Sequence, residues 1–294
     1  MGHAGNIDIG RVGIWSRELR FHADRTAAAE AASELEELGY GALFIPDVGG
    51  DVLSAVRELL AATRTIPLAT GILNIWMHAA EEVAEGVAEI EARYGPRFVL
   101  GLGASHSAIV DAAGPARYGR PLSVMRTYLD ALDAQPRANA PGPRMLAALG
   151  PLMLELARER SAGAHPYLVP PEHTRLAREI LGPDRLLAPE LSVLLESDPR
   201  SGLERARSFV ADYLQLPNYT ANLRRLGFDD DDLKPPGSDR LVRSLVAFGD
   251  EEAIIDALAA HRDAGADHVC VQVIGVGETL PREDWRRLGA ALLP

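Results

Sequence analysis

The sequence predicts an α/β fold, a parallel (β/α)8 TIM barrel, and three observations support it. Eight short apolar segments alternate with amphipathic segments of helical period. The apolar segments are hydrophobic on both faces, which is typical of parallel strands covered by helices. SRELRFHAD follows the first strand without a glycine fingerprint, so an open doubly wound sheet is the less favoured alternative. A chain of 294 residues suits one barrel domain, residues 1–294, with an insertion.

The predicted strands are separated by helices with recognisable ends. In chain order the strands are Val12–Trp15, Ala42–Ile45, Ile66–Leu73, Phe98–Gly103, Arg144–Gly150, Gly163–Val169, Arg185–Glu196 and His268–Ile274. Gly39 and Gly95 follow the first and third helices as C-caps, and Pro151 stands in the first turn of the fifth. Pro166 and Pro189 weaken the sixth and seventh strands, because proline cannot donate a hydrogen bond to a neighbouring strand.

Residues 213–248 interrupt this alternation. They are helical in pattern, with a polar turn at Asp229–Ser238. The run DDDD within it is interpreted as a solvated loop and helix start, since adjacent carboxylates cannot all converge on one metal ion. We therefore expect a helical insertion, at about 213–248, before the last barrel helix, covering part of the barrel mouth.

Composition narrows the choice of partners. The formal net charge is −12, which argues against binding to nucleic acid or to an anionic membrane surface. No secretory signal and no apolar run of about 20 residues is present, so a cytoplasmic location is expected. The single cysteine, Cys270, is interpreted as a small buried hydrophobe.

Barrel enzymes carry their chemistry on the loops that follow the strands. The candidate residues in those loops are Asp47, Asn74, Trp76, His78, Gly103, Ala104, Ser105, His106, Leu149, Gly150 and Pro151. His106 can give or take a proton near neutral pH, although a loop histidine bonded to backbone is the commoner case. No metal-ligand spacing and no G-x-S-x-G nucleophile motif is found, so no metal is expected.

Two glycines suggest contacts with a ligand. Gly150 lies between a strand and a helix start, where backbone N–H groups can hold a phosphate; a plain turn explains it equally well. Gly71 within the third strand indicates a bulge or a close approach of backbone to ligand, with simple packing as the alternative.

Three other residues keep two interpretations each. Asp47 is a cofactor contact or a cap for the helix that starts near Asp51. Trp76 forms a cavity wall or merely packs, and His165 faces the barrel lumen or is bonded structurally. His78 has no neighbouring carboxylates beyond Glu81 and Glu82.

Together these segments resemble the luciferase-like monooxygenase superfamily, and most closely its branch of oxidoreductases that use the deazaflavin coenzyme F-420. The segments that carry the resemblance are GALFIPD (41–47), ATGILNIW (69–76), RFVLGLGASH (97–106), MLAALGPLMLELA (145–157), GAHPYLVPPEHT (163–174), LLAPE (186–190), LPNYTANLRRLGF (216–228) and AGADHVCVQV (264–273). They span nearly the whole chain in the family's order, and they are specific in combination.

The resemblance implies roles for individual residues. The bulge at Gly71–Ile72 would carry a non-prolyl cis peptide behind the cofactor ring, and Asp47 would lie near the ring's polar edge, where it is a catalytic candidate with His106. The implied cofactor-binding residues are Asp47, Thr70, Gly71, Ile72, Asn74, Gly103, Ala104, Ser105, Leu149, Gly150, Pro151, Gly163, Ala164 and His165, with 149–151 at the phosphate. Trp15, Trp76 and His78 would line the substrate pocket.

The function implied is hydride transfer between coenzyme F-420 and a small organic substrate, either a carbonyl or alcohol or an enoyl group. Alternatives are an FMN-dependent monooxygenase fed by a separate flavin reductase, and a flavin-binding barrel without catalysis. His106 stands where some relatives have an acidic proton donor, and the segment VGGDVL (48–53) opens the mouth. A homodimer and a separate dehydrogenase that reduces the cofactor are expected from the resemblance.

Overall fold

Ten parallel strands form one curled sheet that closes into a barrel. The computed structural model describes residues 8–106, 110, 118–135 and 143–293. The strands are β1 (Val12–Trp15), β2 (Leu43–Pro46), β3 (Leu68–Asn74), β4 (Phe98–Gly103), β5 (Arg144–Leu146), β6 (Gly163–Ala164), β7 (Leu186–Leu187), β8 (Glu190–Leu195), β9 (Val246–Gly249) and β10 (Val269–Val273). Their order in the sheet is β7-β6-β5-β4-β3-β2-β1-β10-β8-β9, so the predicted TIM-barrel type of fold is confirmed.

Helices cover the outside of this sheet. They are α1 (Glu18–Phe21), α2 (Arg25–Glu37), α3 (Val52–Ala62), α4 (Ala80–Tyr94), α5 (Pro121–Asp133), α6 (Pro151–Arg160), α7 (Pro171–Leu181), α8 (Pro199–Tyr213), α9 (Pro217–Arg225), α10 (Asp230–Leu233), α11 (Asp239–Leu245), α12 (Glu251–Asp263) and α13 (Arg282–Leu292). Asp24, Asp51, Asp198 and Asp250 each accept a first-turn N–H at a helix start, which satisfies donors that a helix leaves unpaired. No helix in the described ranges is long and apolar enough to cross a membrane.

The predicted seventh strand, Arg185–Glu196, is two strands. β7 pairs with β6, and β8 pairs with β10 and β9. Ala188 and Pro189 separate them, and Pro189 has no N–H to give to a ladder. The barrel still closes here, because Asp267 N donates to Leu187 O at 2.9 Å and Cys270 N to Pro189 O at 2.9 Å.

The fifth and sixth strands are shorter than predicted. β5 ends at Leu146 and β6 at Ala164, whereas the sequence suggested Gly150 and Val169. After β6, Pro166 lacks a donor and Leu168 has a φ of 51°, which is not an extended conformation. β1 and β4 have the predicted bounds.

The insertion contains the helices α9, α10 and α11 and then a strand that the sequence did not predict. β9 follows α11 directly and pairs with β8 in the register Val193↔Ala247 and Leu195↔Gly249. VAFG continues an apolar helical pattern, so its sequence carries no separate strand signal. The aspartate run starts α10, with Asp229 as N-cap and Asp232 closing a capping box.

Candidate active site

A cavity of about 550 Å³ opens where the strands end and their loops begin. It is lined by the ends of β1 to β4, by the chain after β5 and β6, and by α8 and α9. Its volume lies within the roughly 300–1,000 Å³ that small-molecule sites occupy. The lining is mostly apolar and aromatic, with a few polar side chains, which is the usual composition of such sites.

Ten of the residues that the sequence singled out line this cavity. They are Trp15, Ile72, Gly103, Ala104, Ser105, His106, Leu149, Gly150, Pro151 and His165. Eight others do not line it: Asp47, Thr70, Gly71, Asn74, Trp76, His78, Gly163 and Ala164. The second group supports the walls from behind, as the contacts below show.

The bulge expected in the third strand is present at Gly71. The pairing registers of β3 shift there against both neighbouring strands. The Thr70 hydroxyl donates to Gly101 O at 2.8 Å and accepts from Gly101 N at 2.9 Å, so the side chain replaces ladder bonds that the bulge removes. A Cβ on Gly71 would lie 2.4 Å from Trp15 Nε1, and the glycine is therefore required by packing.

The prediction of a cis peptide at Gly71–Ile72 is wrong for this structure. Among the described residues, the peptide bond that is cis joins Pro235 and Pro236. A non-prolyl cis bond costs about 3 kcal/mol. Glycine at the bulge, with Thr70 bridging to Gly101, accommodates the register shift without that cost.

Asp47 is the common partner in a buried polar network beside the cavity. Its Oδ2 accepts from Asn74 N at 3.0 Å and lies 2.8 Å from His78 Nε2. Its Oδ1 lies 3.2 Å from Arg20 Nη1, and the exposed fractions of these two side chains are 3% for Arg20 and 0% for Asp47. Arg20 also donates to the carbonyls of Pro46 and Gly49. The network thus fixes the loop that follows β2, and Asp51, not Asp47, caps α3.

The charges in this network stabilise one another. Burial acts to raise the pKa of Asp47, but the His78 hydrogen bond, the Asn74 N–H and the nearby Arg20 outweigh it and hold that pKa below its ordinary value. The hydrogen bond to Asp47 in turn raises the pKa of His78. Asp47 is therefore a carboxylate, acceptor-only, at neutral pH.

Trp76 reaches the cavity wall indirectly. Its backbone N donates to Asn74 Oδ1 at 3.1 Å, and its indole N–H donates to Ala104 O at 2.7 Å. The ring also lies 5.6 Å from that of Tyr118. Trp76 consequently links the loop after β3 to the loop after β4, which carries His106.

His106 is one of two histidines that line the cavity. Its Nδ1 lies 3.1 Å from Asn218 Oδ1, and its ring lies 5.5 Å from that of Tyr219. The preceding residue, Ser105, has a φ of 54°, a conformation that non-glycine residues adopt mainly at turns and functional sites. Burial lowers the pKa of His106, against the opposing effect of the Asn218 hydrogen bond. The imidazole is therefore neutral at pH 7.

The chain after β5 forms the start of α6, which also lines the cavity. Gly150 is the N-cap and the helix has no side-chain cap. Pro151 has no N–H and Met153 N donates to Gly150 O at 3.1 Å, so Leu152 N is the first-turn donor left for a ligand. The guanidinium of Arg225 lies 3.6 Å from where a Gly150 Cβ would be. His173 Nε2 donates to Leu149 O at 2.9 Å, and this bond stabilises the turn that precedes α6.

The segment after β6 combines packing with one lining side chain. His165 Nδ1 donates to Ala188 O at 2.6 Å, and its ring lies 4.9 Å from that of Phe44. Burial lowers the pKa of His165 to about 4, so the ring is neutral. Gly163 is required sterically, since a Cβ there would lie 1.9 Å from Leu186 O.

Sequence reasoning missed the aromatic and polar residues that line the cavity from the chain after β6 and from α8 and α9. Tyr167 OH donates to Gln272 Oε1 at 2.8 Å and lies 3.0 Å from Tyr213 OH. Tyr219 packs edge-on against Tyr213, with ring centroids 5.1 Å apart. The available signal was the spacing of Asn218, Ala221 and Arg225 in the insertion, which puts all three on one helical face.

Sequence reasoning also missed Glu190, which is buried inside the barrel. Its Oε2 accepts from Leu168 N at 2.9 Å and its Oε1 from Ser192 Oγ at 2.5 Å. Burial raises the pKa of Glu190 to about 7. Within the described part of the chain no group of three His, Cys, Asp or Glu side chains converges as metal ligands would.

A barrel whose strand ends surround a cavity lined by a histidine and a helix start has the architecture of a barrel enzyme. The family model of the luciferase-like monooxygenases matches residues 11–268. The chain therefore belongs to the luciferase-like monooxygenase family, as the resemblance implied.

Individual relatives are more distant. A 5,10-methylenetetrahydromethanopterin reductase from Methanolobus tindarius is 29% identical over 157 residues, which are 46% of this chain and 48% of that enzyme. The chain thus matches about half the length of this curated relative.

Two solved structures of similar fold hold different cofactors. An F-420-dependent secondary alcohol dehydrogenase bound to an F-420–acetone adduct has a TM-score of 0.75 at 13% identity, over 97% of this chain and 99% of that one. The oxygenating constituent of 3,6-diketocamphane monooxygenase from Pseudomonas putida, in complex with FMN, has a TM-score of 0.69 at 10% identity, over 95% and 96%. Identities this low show the shared fold alone.

Proposed function

We propose that this protein transfers a hydride between the deazaflavin coenzyme F-420 and a small organic substrate, an alcohol or carbonyl compound or an enoyl compound. The observation that carries the proposal is the cavity itself. Its lining offers an N–H at the start of α6 and an arginine to an anion, and it offers the neutral His106 as a proton carrier.

The residues present fit a phosphate-bearing cofactor. The Leu152 N–H at the start of α6 and the positive end of the helix dipole attract an anion. Arg225 lines the same end of the cavity and forms a hydrogen bond to Asn222 Oδ1 at 3.1 Å, which orients it. We assign the cofactor phosphate to Gly150, Leu152 and Arg225. Ile72 and the chain from Gly103 to Ser105 would flank the ring.

The chemistry divides between cofactor and protein. When bound, a deazaflavin supplies the hydride chemistry of the reaction. The protein positions the substrate against the ring, excludes water with the aromatic wall of Trp15, Tyr167, Tyr213 and Tyr219, and moves the accompanying proton through His106 Nε2.

Two relatives support coenzyme F-420 over FMN. One is the methylenetetrahydromethanopterin reductase, which is 29% identical to this chain over the aligned residues, and the other is the F-420-dependent alcohol dehydrogenase, which shares the fold. An FMN-dependent monooxygenase fed by a flavin reductase is the second candidate, favoured by the FMN complex of the camphane enzyme. The fold and the anion-binding part of the lining serve both.

A homodimer and a separate dehydrogenase that reduces the cofactor belong to the same proposal. Sedimentation equilibrium of the purified protein tests the first, with a mass of twice 31.6 kDa as the expected result.

Fluorescence titration tests the cofactor directly. The purified protein is titrated with coenzyme F-420 and, separately, with FMN. Micromolar affinity for F-420 with negligible affinity for FMN supports the proposal, and the reverse supports the monooxygenase. Binding of neither would favour a barrel without this chemistry and would overturn both.

A further inference from the structure

One helix of the insertion, α9, packs directly against His106 at the cavity. Asn218, Ala221 and Arg225 all line the cavity, and their spacing of three and four residues puts them on one face of the helix. Asn218 lies at the start of this face, within the first turn of α9. The insertion therefore does more than cover the barrel mouth, because it supplies the hydrogen-bond partner of the candidate proton carrier.

The contact between Asn218 and His106 determines which ring nitrogen carries the proton. Asn218 Oδ1 lies 3.1 Å from His106 Nδ1. A carboxamide oxygen can only accept a hydrogen bond, so Nδ1 must donate and hold the proton of the neutral ring. Nε2 then carries the lone pair, and it is the nitrogen left for a ligand in the cavity.

The surroundings of His106 favour the neutral ring and one orientation of it. Burial lowers the pKa of His106. The titratable side chain in ring contact with it is Tyr219, whose own pKa burial raises well above its ordinary value, so that neighbour is uncharged. Among the described residues no charged group contributes to the pKa of His106, which leaves Asn218 as the polar group that orients the ring.

We propose that Asn218 is a positioning residue, which holds His106 in the Nδ1–H tautomer so that Nε2 accepts the proton of the substrate. The proposal rests on the function proposed above. In alcohol oxidation, the electron pair of the carbinol C–H bond leaves as hydride to the deazaflavin. The O–H bond breaks, its proton goes to Nε2 of His106, and C–O becomes C=O. A ring in the other tautomer would present N–H at this position and could not accept that proton.

The tautomer can be measured without any cofactor. Long-range ¹H–¹⁵N spectra of the labelled, ligand-free protein distinguish Nδ1–H from Nε2–H rings, and His106→Gln identifies the His106 signals. We expect the Nδ1–H form in the wild type and a shift towards the Nε2–H form in Asn218→Leu, which removes the acceptor at similar size. Asn218→Asp should restore the Nδ1–H form, because a carboxylate also accepts.

Kinetics with F-420 and alcohols then separate positioning from binding. Asn218→Leu should lower kcat about tenfold to a hundredfold, a part of what general acid–base catalysis contributes, and change KM less than about twofold. Asn218→Asp should recover most of kcat and move the acidic limb of the pH profile to higher pH, since a neighbouring carboxylate raises the pKa of His106.

Arg224→Gln is the matched control, because Arg224 is on the exposed side of α9 and pairs with Asp230 at 2.8 Å; it should change neither spectrum nor kcat. The proposal is overturned by an Asn218→Leu protein that keeps the Nδ1–H form, or by one that raises KM at unchanged kcat. Failure of both cofactors to bind would remove the proposed function, while the spectra of the ligand-free protein would still decide the role of Asn218.

Discussion

Two neighbouring parts of the barrel mouth use polar residues in opposite ways. At the ends of β2 and β3, Asp47 accepts from the backbone N of Asn74, pairs with His78 and forms a salt bridge with Arg20. At the ends of β4 and β5, His106 and the start of α6 direct a ring nitrogen and a helix N–H group towards the cavity. Both parts follow strands and both are rich in polar residues, so position in the fold does not distinguish them.

The difference lies in where the hydrogen bonds go. A polar group with its bonds complete inside the protein stabilises the scaffold, whereas one with bonding capacity left over at a cavity is available to a ligand. By this criterion Asp47 and His78 are supports, whereas Asn74 Nδ2 is buried without a hydrogen-bond partner among the described residues, and the second part is the candidate active site. Three substitutions test that distinction, from the largest expected effect to the smallest, and a fourth tests a buried carboxyl outside both parts.

Gly150→Asp should abolish cofactor binding. The new carboxylate would accept the free first-turn N–H of α6 itself and repel the cofactor phosphate, and we expect a loss of about a hundredfold or more in affinity by fluorescence titration. Gly150→Asn is the matched control, because it has the same shape without the charge; the built Cβ meets nothing closer than Arg225 at 3.6 Å. Wild-type affinity in both variants would remove this segment from the site.

His106→Ala should leave cofactor affinity unchanged and slow turnover. General acid–base catalysis contributes about a hundredfold to ten-thousandfold, so kcat should fall within that range. Because burial lowers the pKa of His106, the wild-type rate of alcohol oxidation should fall only below pH 6.5, the ordinary value. A variant with full activity would make His106 structural.

Asp47→Ala should act mainly on stability. Removing one partner of a buried ion pair leaves Arg20 uncompensated, which costs about 3–5 kcal/mol of unfolding free energy. Denaturant unfolding measures this cost, and cofactor titration of the folded variant measures its effect on the site. If Asp47 contacts the cofactor as the family resemblance implies, affinity will fall in the folded variant; a loss confined to stability would make Asp47 a support alone.

Glu190→Gln should change how stability depends on pH. Below pH 4.5, the ordinary pKa, the carboxyl is protonated in both the folded and the unfolded chain. Between 4.5 and about 7 the unfolded chain releases its proton while the buried group keeps it, so the wild type loses stability as pH rises. The variant should therefore gain roughly 3 kcal/mol over the wild type between pH 4.5 and about pH 8, measured by denaturant unfolding.

Glu36→Gln is a control of opposite sign. Burial opposes, but hydrogen bonds from the backbone of residues 64–66 outweigh it and lower the pKa of Glu36 to about 2. The contribution of Glu36 to the free energy of unfolding is present above pH 4.5 and is lost as pH falls towards 2.

The prediction for Glu190 has a contradicting outcome. A Glu190→Gln protein whose stability follows the wild type at every pH would show that Glu190 is hydrated or paired in solution.

Much of the scaffold was predictable because its signals are local. β1 and β4 have the predicted bounds, since each is a short apolar run with clear breaks. Gly150 was placed at a helix start from the pattern strand–Gly–Pro–helix alone. The seventh strand was not predicted as two, because the closing bonds to Leu187 and Pro189 come from residues about 80 positions away.

The site was predictable in part. His106 and the 149–151 segment line the cavity as expected, whereas Asp47 and His78 bond to each other behind it. Sequence alone could not separate these cases, because all of them are polar residues at strand ends. Tyr167, Tyr213 and Tyr219 were missed since an aromatic residue in a helix or after a strand is equally consistent with ordinary core packing.

The sequence by itself determined the alternation of strands and helices, and with it the edge of the barrel at which polar residues collect, because burial and periodicity are properties of neighbouring residues. Tertiary structure alone decided the partner of each polar group. His106 and Asn218 are 112 positions apart, and no local pattern couples two residues at that distance. Only the closed barrel, with α9 folded over its mouth, brings the acceptor to the imidazole.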